Sequence, residues 1–197
     1  MANNNRAKLI KLVQIALVTA IVVLLQLLGA VIRFSTFSIS LVLVPIVIGA
    51  VLYGPVAGAW FGLVFGVTVL LSGDAAAFYA FSPAGTIFIV LLKGTLAGLA
   101  SGLVFKPFSN NKNKYPGVFL AALTCPVVNT GVFLIGCLTV FRNYLQNFSE
   151  DTITNPLIFV ITVFIGFNFV FELLLNIILS PAIYRITELG KKYLSRK

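Results

Sequence analysis

Nearly all the charge in this chain sits at the ends of long apolar segments, and that distribution points to a bundle of membrane-spanning helices. Hydrocarbon offers the backbone no hydrogen-bond partner, and a helix satisfies its own amides. Apolar stretches fall at about residues 9–28, 40–53, 56–72, 84–106, 117–140 and 156–184. With 59% hydrophobic residues, 10% charged residues and a mean hydropathy of +1.06, the surface of such a chain would aggregate in water. At about 20 residues per crossing, a chain of 197 residues holds six spans and hardly any soluble domain beside them. The expected fold is therefore an all-α integral membrane protein, a compact bundle of about six transmembrane helices forming one domain over residues 1–197.

The net charge of +9 raises the question of nucleic acid. The basic residues form no continuous patch, however; they sit beside hydrophobic ends, where anionic lipid and topology selection account for them. Nucleic-acid binding is excluded on that distribution. Arg6, Lys8 and Lys11, then Lys106, Lys112 and Lys114, then Arg185, Lys191, Lys192, Arg196 and Lys197 all fall on one side of a six-span arrangement. By the positive-inside rule that side is cytoplasmic and carries both termini. The opposite side receives Arg33, Arg142, Asp74, Glu150 and Asp151. The basic start resembles a signal-peptide n-region, but no cleavage site with a soluble mature domain follows, so the first helix is read as retained. Histidine is absent, and Cys125 and Cys137 lie about 18 Å apart along one helix, which excludes a zinc site and a mutual disulfide.

Between the spans, Arg33-Phe34-Ser35-Thr36-Phe37-Ser38 reads as a loop at the membrane face, Tyr53-Gly54-Pro55 as a tight turn, and 72–83 as a loop or partly re-entrant stretch. Gly54, Gly58, Gly62 and Gly66 recur every fourth residue, as do Gly94, Gly98 and Gly102. Each series gives its helix a smooth face for close approach by another. Ala16 and Ala20 offer the first span a shorter version. Internal packing is one use of such faces; a surface left free for a partner subunit, the alanine one in particular, is the other.

Lys93 and Glu172 are the ionisable side chains placed well inside spans, where each costs about 2.5–3.5 kcal/mol if it faces lipid at the helix centre. They are expected to face the interior, water or one another. Counted from the outer ends of their helices, Lys93 lies about 15 Å deep and Glu172 about 24 Å deep. A structural ion pair and a ligand contact by Lys93 both remain open. In Cys125-Pro126-Val127-Val128-Asn129-Thr130-Gly131, Pro126 frees a backbone carbonyl and Asn129 brings an amide to mid-membrane. That amide either binds a polar small molecule or ties helices together. Asn168 is the more accessible of the asparagines on the last span, and Asn176 the more structural. Phe34, Phe37, Phe78, Tyr79 and Phe81 cluster at the outer loops, as an aromatic belt or as a lid over a ligand.

There is no phosphate loop, nucleophile elbow or metal triad, so no catalytic residue, metal site or cofactor is expected. Energy for any transport must come from a gradient or a partner. Six spans in about 200 residues, Ala16-x-x-x-Ala20, the turn Leu52-Tyr53-Gly54-Pro55-Val56-Ala57-Gly58-Ala59 and Leu92-Lys93-Gly94 together resemble the substrate-binding S-component of an energy-coupling factor (ECF) vitamin transporter. The resemblance covers nearly the whole chain. It implies a single substrate-binding domain that takes a vitamin-like small molecule from outside and docks on a membrane coupling protein with two ATPase subunits. It implies docking through Ala16 and Ala20, and a pocket under the first outer loop in the outer halves of the last three helices. Arg33 and Phe37 in that loop, Lys93, Asn129 and Asn168 occupy matching positions, and Tyr79 and Phe81 of the outer aromatic cluster are further candidates for contact with the substrate. The segment around Asn129 is similar to pantothenate-type S-components, and Lys93 or Arg33 suits a carboxylate. Riboflavin and folate are the alternative substrates, and a self-sufficient ion-coupled carrier using Glu172 is the alternative mechanism.

Overall fold

The computed structural model describes residues 2–31, 33–34, 37–38, 41–141 and 167–195. Among the described residues, six helices stand where the apolar intervals predict them: α1 (Ala2–Val31), α2 (Leu43–Tyr53), α3 (Pro55–Leu71), α5 (Pro83–Phe105), α6 (Tyr115–Thr139) and α7 (Phe167–Ser195), with a short α4 (Ala76–Phe81) between α3 and α5. The stretch expected as a loop or re-entrant segment at 72–83 thus contains a helix of 6 residues. The expected beginning of the last span at 156–166, and Arg142, Glu150, Asp151, Arg196 and Lys197, lie outside the described residues. Arg33–Phe34 (β1) and Phe37–Ser38 (β2) pair antiparallel, a two-residue ladder that is the one departure from helical elements among the described residues.

Four helices among the described residues are long and apolar enough to cross a membrane, namely Lys8–Val31, Pro83–Phe108, Tyr115–Thr139 and Asn168–Gly190. The apolar α2 and α3 are shorter. The 11 residues of α2 reach about 16 Å, so α2 is an inner wall; Leu43, Ile46, Val47 and Ala50 are all fully buried. Gly54 ends α2 with φ 96°, and Pro55 starts α3 at once. A Cβ added at Gly54 would meet nothing within 4 Å. Gly54 is therefore a turn residue and not the first rung of the ladder that the spacing suggested. A left-handed φ there favours glycine, and proline suits the first helical position.

The remaining glycines decide how α3 and α5 pack. A Cβ added at Gly58 would overlap the Gly98 carbonyl, one at Gly62 the Gly94 carbonyl, and one at Gly66 would lie 2.9 Å from the Val90 carbonyl. The two series face each other, antiparallel, with backbones in contact. Lipid tails compete with apolar side chains on equal terms, so close van der Waals packing of this kind holds membrane helices together. Gly102 completes the seam against Pro55. From α5 the bundle continues to α6, from α6 to α7, and α7 returns to α2, while α1 lies on α3 and α2. Trp60 donates its indole N–H to Thr19 Oγ1 at 3.2 Å, and Gln26 donates to Asp74 Oδ2, which pins α1 at both heights.

Candidate functional site

Contacts along α5 and α6 set one antiparallel register. Gly85 faces Val140, Gly136 faces Ile89, the Lys93 ammonium lies over the Phe133 ring and Cys125 meets Ser101. Tyr115 reaches Ser180 at 3.4 Å and Tyr184 at 5.6 Å between rings, while Cys125 lies in the electrostatic range of Glu172. Equal rise along α6 and α7 then sets Asn129 opposite Asn168. Glu172 falls about 11 Å along the axis from the level of Lys93.

The seat of Lys93 is aromatic. Its Nζ lies 4.9 Å from the centroid of Phe133 and 5.8 Å from that of Phe65. Ring faces attract a cation, by about 2 kcal/mol or more once water is excluded. Glu172 and, more weakly, Asp74 act on the same charge. An ammonium seated on rings keeps its N–H donors for an anion.

One turn deeper on α6, Asn129 is 5% exposed and its Oδ1 has no hydrogen-bond partner among the described residues. Thr86, 1% exposed, has an unpartnered hydroxyl among the same residues, and Asn176, also 1% exposed, has an unpartnered Oδ1 although its Nδ2 donates to the Glu172 carbonyl at 2.9 Å. A buried polar atom left unpaired costs about 1–3 kcal/mol, so each of these groups has capacity for one further hydrogen bond. Asn168, at the level of Asn129, is half-buried.

Above the site, Phe78 of α4 packs on Phe133 at 5.3 Å and on Phe141 at 5.0 Å. The aromatic cluster is therefore partly a cover and not only a belt. Within it, Tyr79 turns outward with 44% exposure, so the inward ring at this point is its neighbour Phe78. Arg33, Phe37 and Phe81 have their backbones in β1, β2 and α4, and their side chains lie outside the described part of the structure. Phe65, Phe133 and Thr86 do not stand out in the sequence. The last two nevertheless carry a signal: Thr86 stands seven residues before Lys93, and Phe133 four after Asn129, each on the same helical face as its partner.

Ala16 and Ala20 are exposed on a stripe of α1 with Val13, Leu17, Leu24 and Leu27. The glycine series are consumed by internal packing, whereas the alanine face is not. The arrangement defines an integral membrane helical bundle with a partly covered polar site at one end and a smooth apolar face on its first helix.

A family of the description ECF transporter, substrate-specific component, matches residues 10–184, and the chain belongs to it. It is the substrate-specific membrane subunit of an ECF transporter, a multi-pass transport component rather than an enzyme, which binds a small substrate and docks on an ECF module. Comparison with curated proteins and with solved structures gives no significant match.

Proposed function

We propose that this subunit captures a carboxylate-bearing vitamin, pantothenate foremost, from outside the cell membrane and delivers it inward. Delivery follows docking on a membrane coupling protein with two ATPase subunits, through the Ala16 and Ala20 face. Both termini lie in the cytoplasm in this reading, so the α4 end of the bundle opens outward. The observation that carries it is the pairing of a Lys93 ammonium on two aromatic rings with an unpartnered Asn129 amide oxygen one turn deeper. A cation beside a neutral acceptor suits a ligand with an acid and a nearby N–H or O–H donor. Pantothenate carries both.

In this reading Asn168 lines the deeper wall. Arg33 and Phe37 on the β pair, with Tyr79 and Phe81 on α4, belong to the two segments that close over the ligand. The rings of Phe65, Phe78 and Phe133 favour a second substrate reading, a planar conjugated vitamin such as riboflavin or folate. Mass spectrometry of small molecules released from detergent-purified protein, followed by titration with pantothenate, riboflavin and folate, tests both. A stoichiometric vitamin supports the reading and names the cargo. Absence of any ligand and of binding to all three overturns it.

A further inference from the structure

Thr86 is buried to 1% exposure, yet its Oγ1 has no hydrogen-bond partner among the described residues. Five other helical threonines behave differently. Thr19, Thr68, Thr95, Thr124 and Thr139 each donate to the carbonyl four residues back at 2.7–2.9 Å. That back-bond is the usual resting place of a threonine hydroxyl in a helix, and Thr86 alone among these six does not use it.

Its direction follows from helical geometry. Seven residues are close to two full turns, so Thr86 and Lys93 stand in line on α5, about 10 Å apart along the axis. The α5–α6 register puts Thr86 level with Thr139 and Val140, at the α4 end, and Asn129 about 15 Å deeper. Thr86, Lys93 and Asn129 thus form a column of polar groups on the interior faces of two adjacent helices. Both neutral members have a buried oxygen without a partner among the described residues.

We propose that the Thr86 hydroxyl is the polar contact nearest the mouth of the substrate site and selects for a ligand with a hydroxyl or amide group at that end. The inference rests on the vitamin-binding reading above and extends it to a residue that sets specificity. A ligand held in this column with a hydroxyl or amide at its outer end pairs Thr86. An otherwise similar acid without that group leaves the hydroxyl buried and unsatisfied, and is rejected by the difference.

The test is calorimetric titration of the purified full-length protein with pantothenate, riboflavin and folate, for wild type, Thr86→Val and Thr86→Ser, with thermal unfolding of the ligand-free forms. Valine keeps the shape and removes the hydroxyl. Thr86→Val is expected to weaken binding of the recognised vitamin about tenfold while unfolding no lower than wild type, and Thr86→Ser to stay within about threefold. Should the valine form not be recovered folded, Thr86→Ala is read in its place. Equal affinity of the valine or alanine form and wild type overturns the role of Thr86 and leaves the vitamin reading standing. Wild-type protein that binds none of the three overturns both.

Discussion

At the scale of single residues, the site is built from groups that a membrane protein does not bury without cause. Lys93 is seated on rings that leave its charge available to an incoming anion. Asn129 is the complementary case, an amide at mid-helix whose oxygen is unsatisfied among the described residues. Asn129→Ala is expected to weaken pantothenate binding by about 1–3 kcal/mol, the range for losing a partner of a desolvated polar group. Isothermal titration checks this, and an unchanged affinity assigns Asn129 to helix packing. These residues were legible from sequence because a polar side chain inside an apolar run stands out. Their neighbours were not, since Phe65 and Phe133 are indistinguishable from lipid-facing phenylalanines until α3, α5 and α6 are assembled.

At the scale of helices, the glycine seam between α3 and α5 and the alanine stripe on α1 illustrate two fates of one motif. Gly62 has no room for a methyl group, because a Cβ there meets the Gly94 carbonyl, whereas Gly131 on α6 has nothing within 4 Å. Gly62→Ala is expected to destabilise the bundle by about 1–3 kcal/mol through overpacking. Gly131→Ala is expected to stabilise by about 0.5–1 kcal/mol through lower chain entropy in a helix. Thermal unfolding in detergent distinguishes the two signs. Ala16 and Ala20 are open in the isolated subunit, so replacing both by Leu is expected to leave folding and ligand titration unchanged. In cells with the complete transporter the same variant is expected to lose uptake, as bulk on a close-packing face keeps the helices of two subunits apart. Loss of ligand binding in that variant would instead place the alanine stripe within the fold.

At the scale of the whole molecule, the sequence holds no nucleotide-binding motif, and its belonging to the ECF substrate-specific components assigns energy supply to a partner module. Vesicles containing this chain alone are therefore expected to bind the vitamin without accumulating it, and Glu172→Gln, which removes a negative charge that acts on Lys93, to alter vitamin affinity while that lack of accumulation is unchanged. Accumulation by the chain alone, abolished by Glu172→Gln, would identify an ion-coupled carrier. Binding assays and radiolabelled uptake in proteoliposomes measure the two.

The sequence by itself determined the class of fold, the helical intervals, the clustering of basic residues at one set of ends and the short list of interior polar groups. Each follows from the cost of putting charge or unpaired backbone in hydrocarbon, a penalty that acts locally along the chain. Only the tertiary structure decided that the glycine series meet each other, that Gly54 takes no part in their seam, that residues 76–81 form a covering helix and that Phe78 rather than Tyr79 turns inward. Those outcomes depend on which helix lies opposite which and at what register. Period and composition define a face, but the neighbour that fills it is chosen by packing across the bundle.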